Sequence, residues 1–368
     1  MKVLHIITRM NTGGPAVFLD HLTKSMSGLG TKSTIAYGYC ESNETDYTDT
    51  HKLNADLIRV QSLHRSLSPI SDVRSFFQLR KIIKTQKPDV VNTHTSKAGV
   101  LARVATKSVN RKTPVVHTFH GHLIYGYFAR YKSIIFTLIE KIMSRYTNVA
   151  VAVTAETKNS LSKLGIGRKL PWRIIQIGIP TRVVTQPKPV DQTLKLLWIG
   201  RFTQIKDPSL AVKIMKNLSN AALGKFELTM VGQGELYEQV KKEAVNLPIK
   251  FTGWLTNPFE TISVFDLLLI TSKNEGLPLV MLEAANFGRP TLSKNVGGIS
   301  EFITDNQTGY LVDGSANEIA QKIMELSNNT SSLLQTGINA KKLLNDKFSV
   351  EIMAKNYQDL YSKLIIGK

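Results

Sequence analysis

The sequence predicts an α/β protein built as two doubly wound domains that face a cleft. Three observations predict it. Short apolar runs alternate with helix-like segments from the first residues onward. The alternation breaks once, near the middle, at a segment carrying two prolines, and then restarts. The length, 368 residues, exceeds the ~250–300 at which a single core stops growing.

The strands of the first half read as VLHII (3–7), STIAY (33–37), DVVNTH (89–94), PVVHTF (114–119) and VAVAVT (149–154). Their β-branched content and brevity fit strands buried on both faces of a parallel sheet. Between them lie candidate helices at Ala16–Leu29, Ser71–Thr85, Ala98–Ser108 and Ser133–Arg145, and this rhythm predicts helices on both sides of the sheet. Residues 181–193, with Pro187 and Pro189 and no periodicity, read as a linker. The second set of strands is LKLLWIG (194–200), FELTMVG (226–232), IKFTG (249–253), DLLLIT (266–271) and RPTLS (289–293). Its helices are Pro208–Leu218, Gly234–Val245, Pro278–Phe287 and Ser315–Ser327. Residues 349–366 spell a last amphipathic helix. The predicted domains are 1–185 and 186–348, both Rossmann-like, with 349–368 packing back toward the first.

Composition bounds the function classes. A hydrophobic share of 42% is that of a soluble globular chain. The single cysteine, Cys40, excludes an intrachain disulfide framework and a cysteine-based zinc site. MKVLHIITRM reads as a first strand and not as a secretory signal, because histidine interrupts its short apolar run. No run of 18 apolar residues suggests a spanning helix; the most apolar long stretch, Ile134 to Met143, still carries Glu140 and Lys141. Net charge is +19, and residues 1–190 hold 28 Lys+Arg against 10 Asp+Glu, whereas residues 191–368 hold 19 against 18. An excess confined to one half points to an anionic partner for that half: a membrane surface, a nucleic acid or an acidic substrate.

In doubly wound sheets ligands bind beyond the carboxyl ends of the strands, so strand-to-helix junctions carry the chemistry. After the first strand, Gly13 and Gly14 precede a helix that Pro15 helps to open, where bare backbone amides can approach an anion or simply form a tight turn. After the first strand of the second half, Arg201 and Lys206 put two cations at the cleft edge, a pairing suited to a diphosphate. The stretch ITSKNEGLPLVMLEA then places Glu275 before a helix start and Glu283 inside the helix. A carboxylate in so apolar a helix must meet a cleft or a partner, since burying it alone is costly. Two acids reading the hydroxyls of a sugar-containing ligand, with the amides of Leu277 to Val280 on its phosphate, account for both.

Taken together, the E-x7-E stretch EGLPLVMLE, the GR-x4-K stretch with Gly200, Arg201 and Lys206, and the N-terminal glycine pair resemble the retaining GT-B glycosyltransferases of family 4. NTHTSKAGVLARVA and HTFHGHLIYGYF resemble segments of bacterial members that build surface polysaccharides. The resemblance spans essentially the whole chain. It implies a hexosyltransferase that takes a nucleotide-sugar donor, with a UDP-sugar preferred, and an acceptor that is a saccharide or lipid-linked saccharide bound by the first domain. It implies that Glu283 binds ribose hydroxyls and that Glu275 contacts the transferred sugar. The backbone of Gly276, Leu277, Pro278 and Leu279 would lie nearby. Arg201 and Lys206 would neutralise the leaving diphosphate, Gly13 and Gly14 would approach phosphate, and His120 would sit by the reacting carbon. The family's account of retention is front-face substitution, with the leaving phosphate oxygen taking the acceptor's proton. No cofactor or metal is expected, because no paired acidic metal motif stands at a strand end. His94 is a further functional candidate, and His122 is readily confused with His120.

The basic first half, with aromatics at 123–131 and Arg103, Lys107, Arg111 and Lys112 on the helix that starts at Ala98, predicts peripheral attachment to the inner face of the cell membrane. Two rivals remain: a sugar-nucleotide 2-epimerase of the same fold, and a basic nucleic-acid- or membrane-binding protein without catalysis. No helix-turn-helix, RRM or OB signature supports a nucleic-acid partner.

Overall fold

A computed structural model describes residues 1–42, 44–121, 130–182, 192–255, 258 and 265–367. Most of the proline-bearing linker, His122 and the aromatic run that follows it lie outside the described residues, as do the side chains of Arg130, Tyr131 and Lys132. The chain divides into two compact units, Met1–Pro180 with Ser349–Lys368, and Thr181–Phe348.

Unit 1 carries a seven-stranded parallel sheet. In chain order the strands are β1 (Lys2–Arg9), β2 (Lys32–Gly38), β3 (Asp56–Arg59), β4 (Val90–His94), β5 (Val115–Phe119), β6 (Val149–Ala152) and β7 (Trp172–Ile174), and their order in the sheet is β3-β2-β1-β4-β5-β6-β7. The connecting helices are α1 (Gly14–Gly28), the single turn α2 (Tyr47–Thr50), α3 (Pro69–Gln86), α4 (Ser96–Val109), α5 (Arg130–Met143) and α6 (Ala155–Lys163). The topology reverses direction between β1 and β4, the place where such sheets open a crevice at their carboxyl edge.

Unit 2 carries a six-stranded parallel sheet of β8 (Leu194–Ile199), β9 (Phe226–Val231), β10 (Ile249–Gly253), β11 (Leu267–Ile270), β12 (Thr291–Ser293) and β13 (Tyr310–Leu311), ordered β10-β9-β8-β11-β12-β13. Its described helices are α7 (Pro208–Ala221), α8 (Tyr237–Glu243), α9 (Leu279–Asn286), α10 (Ala316–Ser327) and α11 (Thr330–Lys347). Its direction reverses between β8 and β11. Two doubly wound units are therefore present, as the alternation predicts.

The helices begin where short-range chemistry tells them to. Pro15, Pro69 and Pro208 occupy first-turn positions whose N–H has no helical partner anyway. Ser315 and Glu318 form a capping box on α10. Asn329 caps α11 and Ser349 caps the last helix, α12 (Val350–Ile366). The first helix starts two residues earlier than the sequence suggests, with Gly14 already helical and Gly13 as its N-cap in an extended conformation.

α12 belongs to unit 1. Tyr361 accepts a 2.7 Å hydrogen bond from Asn92 Nδ2 on β4, and Tyr357 shares a 3.3 Å hydrogen bond with Thr118 on β5. α12 packs on α1 over the same sheet face. At the chain's return, Val350 N donates to Ile179 O at 3.0 Å, and residues 179 and 349 form a parallel bridge.

Candidate active site

In unit 2 the candidate residues sit on the loops that leave β8 and β11, the two strands flanking the reversal. β8 ends at Ile199, Gly200 follows, and partly exposed Arg201 comes next. The loop turns back so that Lys206 N donates to Thr203 O at 3.1 Å. Asp207 takes a left-handed conformation, φ 47°, just before α7. This loop is stitched to the one after β11: Thr271 Oγ1 donates to Lys206 O at 2.8 Å and accepts from Trp198 Nε1 at 2.9 Å, and Lys273 N donates to Ile205 O at 2.8 Å.

That stitching brings together two residues 69 positions apart. Lys206 Nζ and Ser272 Oγ both donate to Oε1 of Glu275, each at 2.5 Å. The Lys206–Glu275 pair is partly buried, with side-chain exposures of 27% and 10%, so the charges are less screened than a surface pair but still reachable by a ligand. The loop after β12 closes in behind. Gly297 has φ +58°, and a Cβ there would lie 1.8 Å from Glu275 O. Gly298 N donates to Gly276 O at 3.0 Å. The backbone of Glu275 is thereby fixed from both sides.

α9 begins at Leu279 with Pro278 as N-cap and no capping side chain. Leu277 and Pro278 are buried, and Gly276 and Leu279 are partly exposed. Among the described residues the amides of Leu279 and Val280 have no carbonyl acceptor, so the positive end of the helix keeps free donors. One turn in, Glu283 lies among Met281, Leu282, Ala284 and Ala285, all buried. Burial raises its carboxyl to about 7, an effect the Arg182 guanidinium opposes. Arg182 itself lies over the Phe287 ring at 5.5 Å, and its amide donates to Asn286 Oδ1 at 3.0 Å.

In unit 1 the candidates lie at the carboxyl edge beside the β1–β4 reversal. Gly13 and Gly14 open α1, and Gly13 O accepts from Ala16 and Val17 at 3.2 Å. His120 follows β5 directly. It does not stand alone: His94, the last residue of β4, shares a 2.9 Å hydrogen bond between its Nδ1 and His120 Nε2. His94 Nε2 in turn meets His5 Nδ1, on β1, at 3.3 Å. The Phe18 ring of α1 packs edge-on to His120 at 4.7 Å. Burial holds all three imidazoles below their usual range, His5 at about 3 and His120 at about 4, with neighbouring imidazoles adding to the effect at His94.

The sequence missed His5 entirely. Its signal is the sheet register, which pairs His5 with Asn92 and His94 with Thr118. Each histidine is therefore two residues further along its strand than the last, and all three face one side of the sheet.

One reading of the basic half needs correction. Arg103 on α4 is not a surface cation. It is buried, donating to both oxygens of buried Glu140 at 2.8 and 2.9 Å, to Gly99 O at 2.9 Å and to Thr147 Oγ1 at 3.4 Å. Lys107 is partly exposed and tied to the adjoining loops, donating to Thr113 O at 2.8 Å and Asn148 Oδ1 at 3.0 Å. Charge at helical spacing suggests a solvated face, but here it marks the seam between α4 and α5.

Comparison with known proteins bears on both units. Residues 12–183 match the family described as Glycosyltransferase Family 4, and residues 184–343 match Glycosyl transferases group 1. The chain is 30% identical over 300 residues to the O-antigen biosynthesis glycosyltransferase WbnH of Escherichia coli, covering 80% of this chain and 82% of that one. It is 25% identical to a UDP-Gal:alpha-D-GlcNAc-diphosphoundecaprenol alpha-1,3-galactosyltransferase of Escherichia coli, covering 88% and 87% of the two chains. Among solved structures, the fold superposes on Anabaena Alr3699/HepE, crystallised with UDP and glucose, at a TM-score of 0.81 and 16% identity. That match covers 99% of this chain and 100% of the other.

Proposed function

The chain belongs to the family 4 glycosyltransferases and has the GT-B fold, and from that premise we propose a retaining hexosyltransferase of bacterial surface-polysaccharide synthesis, using a UDP-sugar and a lipid-linked or saccharide acceptor. The observation that carries this reading is the constellation around α9: a lysine–glutamate pair, an uncapped helix start and a second glutamate one turn inside, all at the carboxyl edge of one sheet. Glu283 accepts hydrogen bonds from ribose hydroxyls. The free amides of α9 with Arg201 and Lys206 hold the diphosphate. Glu275, steadied by Ser272 and Lys206, orients the transferred sugar, and His120 contacts it from unit 1, where Gly13 and Gly14 offer amides to phosphate.

The costly event is separation of an oxocarbenium-like sugar from a diphosphate. Fixed cations and amides aimed at the growing negative charge lower that barrier, and losing one such donor typically costs ~10²–10³ in rate. Retention follows if the acceptor hydroxyl attacks from the face that the diphosphate leaves, its proton passing to the departing phosphate oxygen. Protein cations supply the charge stabilisation in this scheme, and no metal is required. The relative acting on a diphosphoundecaprenol-linked sugar supports a lipid-linked acceptor, and the UDP-bearing structural neighbour supports the choice of UDP. Calorimetry with UDP, GDP and their sugars tests the donor, and the anomeric configuration of the product tests retention. A chain that binds no nucleotide, or that inverts the sugar, refutes the assignment.

We further propose peripheral attachment to the anionic inner leaflet. Among the described residues no helix is long and apolar enough to cross a membrane. α5 instead exposes Ile134, Ile135, Leu138 and Ile142, and α3 exposes Ile70, Val73 and Phe77 beside exposed Arg74, Lys81 and Lys84. Both helices pack against α4, which lies between them. Aliphatic groups interleaved with cations suit a lipid surface, each cation contributing roughly 1 kcal/mol. Flotation with anionic vesicles at low salt tests this; absence of binding refutes it.

A further inference from the structure

The three imidazoles of unit 1 carry an inference that rests on the reading of His120 as a donor-sugar contact and deepens it. His5, His94 and His120 form an unbranched chain joined by two nitrogen-to-nitrogen hydrogen bonds. Among the described residues its two ends, His5 Nε2 and His120 Nδ1, are both buried without a partner. The rings around it are apolar or neutral: Phe18 packs on His94 and His120, and Tyr357 packs on Phe18.

Counting hydrogens constrains the chain. A neutral imidazole has one N–H and one bare nitrogen. Three neutral rings therefore hold three N–H groups. Two of these make the two bonds, and the third must sit at one end. If it sat on His5 Nε2, an N–H would be orphaned inside the central strand of the sheet. Buried orphan N–H groups are the rarer and costlier kind of unsatisfied atom. Placing it at the other end leaves only a bare acceptor on fully buried His5 and puts the N–H on His120, a partly exposed residue at the carboxyl edge, where ligands of such sheets bind.

We propose that the chain runs outward: His5 Nδ1–H donates to His94 Nε2, His94 Nδ1–H donates to His120 Nε2, and His120 presents Nδ1–H as a neutral hydrogen-bond donor to a sugar hydroxyl or phosphate oxygen. In this arrangement His120 does not serve as a base. The depressed basicity of all three rings agrees, since none gains a second proton near neutral pH.

The test is heteronuclear NMR on the ligand-free, full-length protein carrying nitrogen-15 histidine, with His120 assigned from the signals lost in His120→Asn. Long-range proton–nitrogen correlations report which ring nitrogen bears hydrogen. The expected result is an Nδ1–H His120 in the wild type, retained in His5→Asn, whose amide N–H replaces the missing donor. His5→Phe leaves His94 Nε2 a bare acceptor, which the same count tolerates, so His120 keeps Nδ1–H there as well. An Nε2–H His120 in the wild type overturns the inference, and so does one in a His5→Phe variant that circular dichroism shows to be folded. If His5→Phe does not fold, the wild-type tautomer decides by itself. With a UDP-sugar that the enzyme binds, the His120 Nδ1–H proton resonance should shift as that donor gains an acceptor. If no nucleotide binds, the functional reading fails while the tautomer result stands independently.

Discussion

Glu283→Gln is expected to change stability in a way that depends on pH. In the folded chain the Glu283 carboxyl titrates at about 7, against an ordinary value of 4.5. Below pH 4.5 the group is protonated in both folded and unfolded chains, and glutamine gains nothing over it. Between pH 4.5 and 7 the unfolded chain gives up the proton and the folded chain keeps it, so stability falls as pH rises; above 7 the penalty is constant. At 1.36 kcal/mol per pKa unit, the penalty reaches at most about 3 kcal/mol. Glu283 retains some contact with solvent, which places the true figure below that ceiling. For a unit of this size each kcal/mol moves Tm by about 2–4 °C. Melting curves of wild type and Glu283→Gln without ligand should coincide near pH 4.5, apart from a constant offset, and separate by several degrees at pH 8, with the variant the more stable. The same change should weaken UDP binding by roughly 10- to 100-fold, because charge-assisted hydrogen bonds contribute about 1.5–3 kcal/mol. A separation that is equal at pH 4.5 and pH 8 would refute the reasoning. So would a variant that binds UDP as tightly as the wild type.

Lys206→Ala and Arg201→Ala should each reduce turnover by ~10²–10³ while leaving the melting temperature nearly unchanged, as measured by steady-state transfer assays alongside calorimetry. Gly297→Ala should abolish donor binding in a protein that still folds, because its Cβ would sit 1.8 Å from Glu275 O and the loop must move; a crystal structure of the variant would show the displacement. Arg103→Ala strands Glu140 in the core and should cost about 3–5 kcal/mol in urea unfolding, whereas the double change Arg103→Met with Glu140→Leu should recover most of it.

What the sequence made legible follows from where the information lies along the chain. The central strands were readable because burial on both faces leaves an unbroken apolar run, as in Leu267–Ile270. β3, β7 and β13 were not. DLIR has no buried residue, β7 is three residues long, and β13 is two. α11 was missed because its apolar positions are diluted by Ser, Thr, Asn and Lys. Among candidate site residues, those of the α9 segment were legible because nine consecutive residues hold the pattern. The Lys206–Glu275 pairing and the His5–His94–His120 chain depend on which strands are neighbours and in what register, and no local window encodes that. Arg103 failed for a related reason: its partner, Glu140, is 37 positions away, and an arginine at helical spacing looks solvated until that partner is found.

The return of the chain at Ile179 and Val350 has a consequence for how such enzymes diversify. Everything from Thr181 to Phe348 is an insertion whose entry and exit lie side by side. Two crossovers at that point would exchange the whole of unit 2 between paralogous genes in one event, leaving unit 1 with its own terminal helix. A fragment ending at Pro180, by contrast, would lose the tyrosines that cover β4 and β5. Recombination, not truncation, is the operation this topology tolerates.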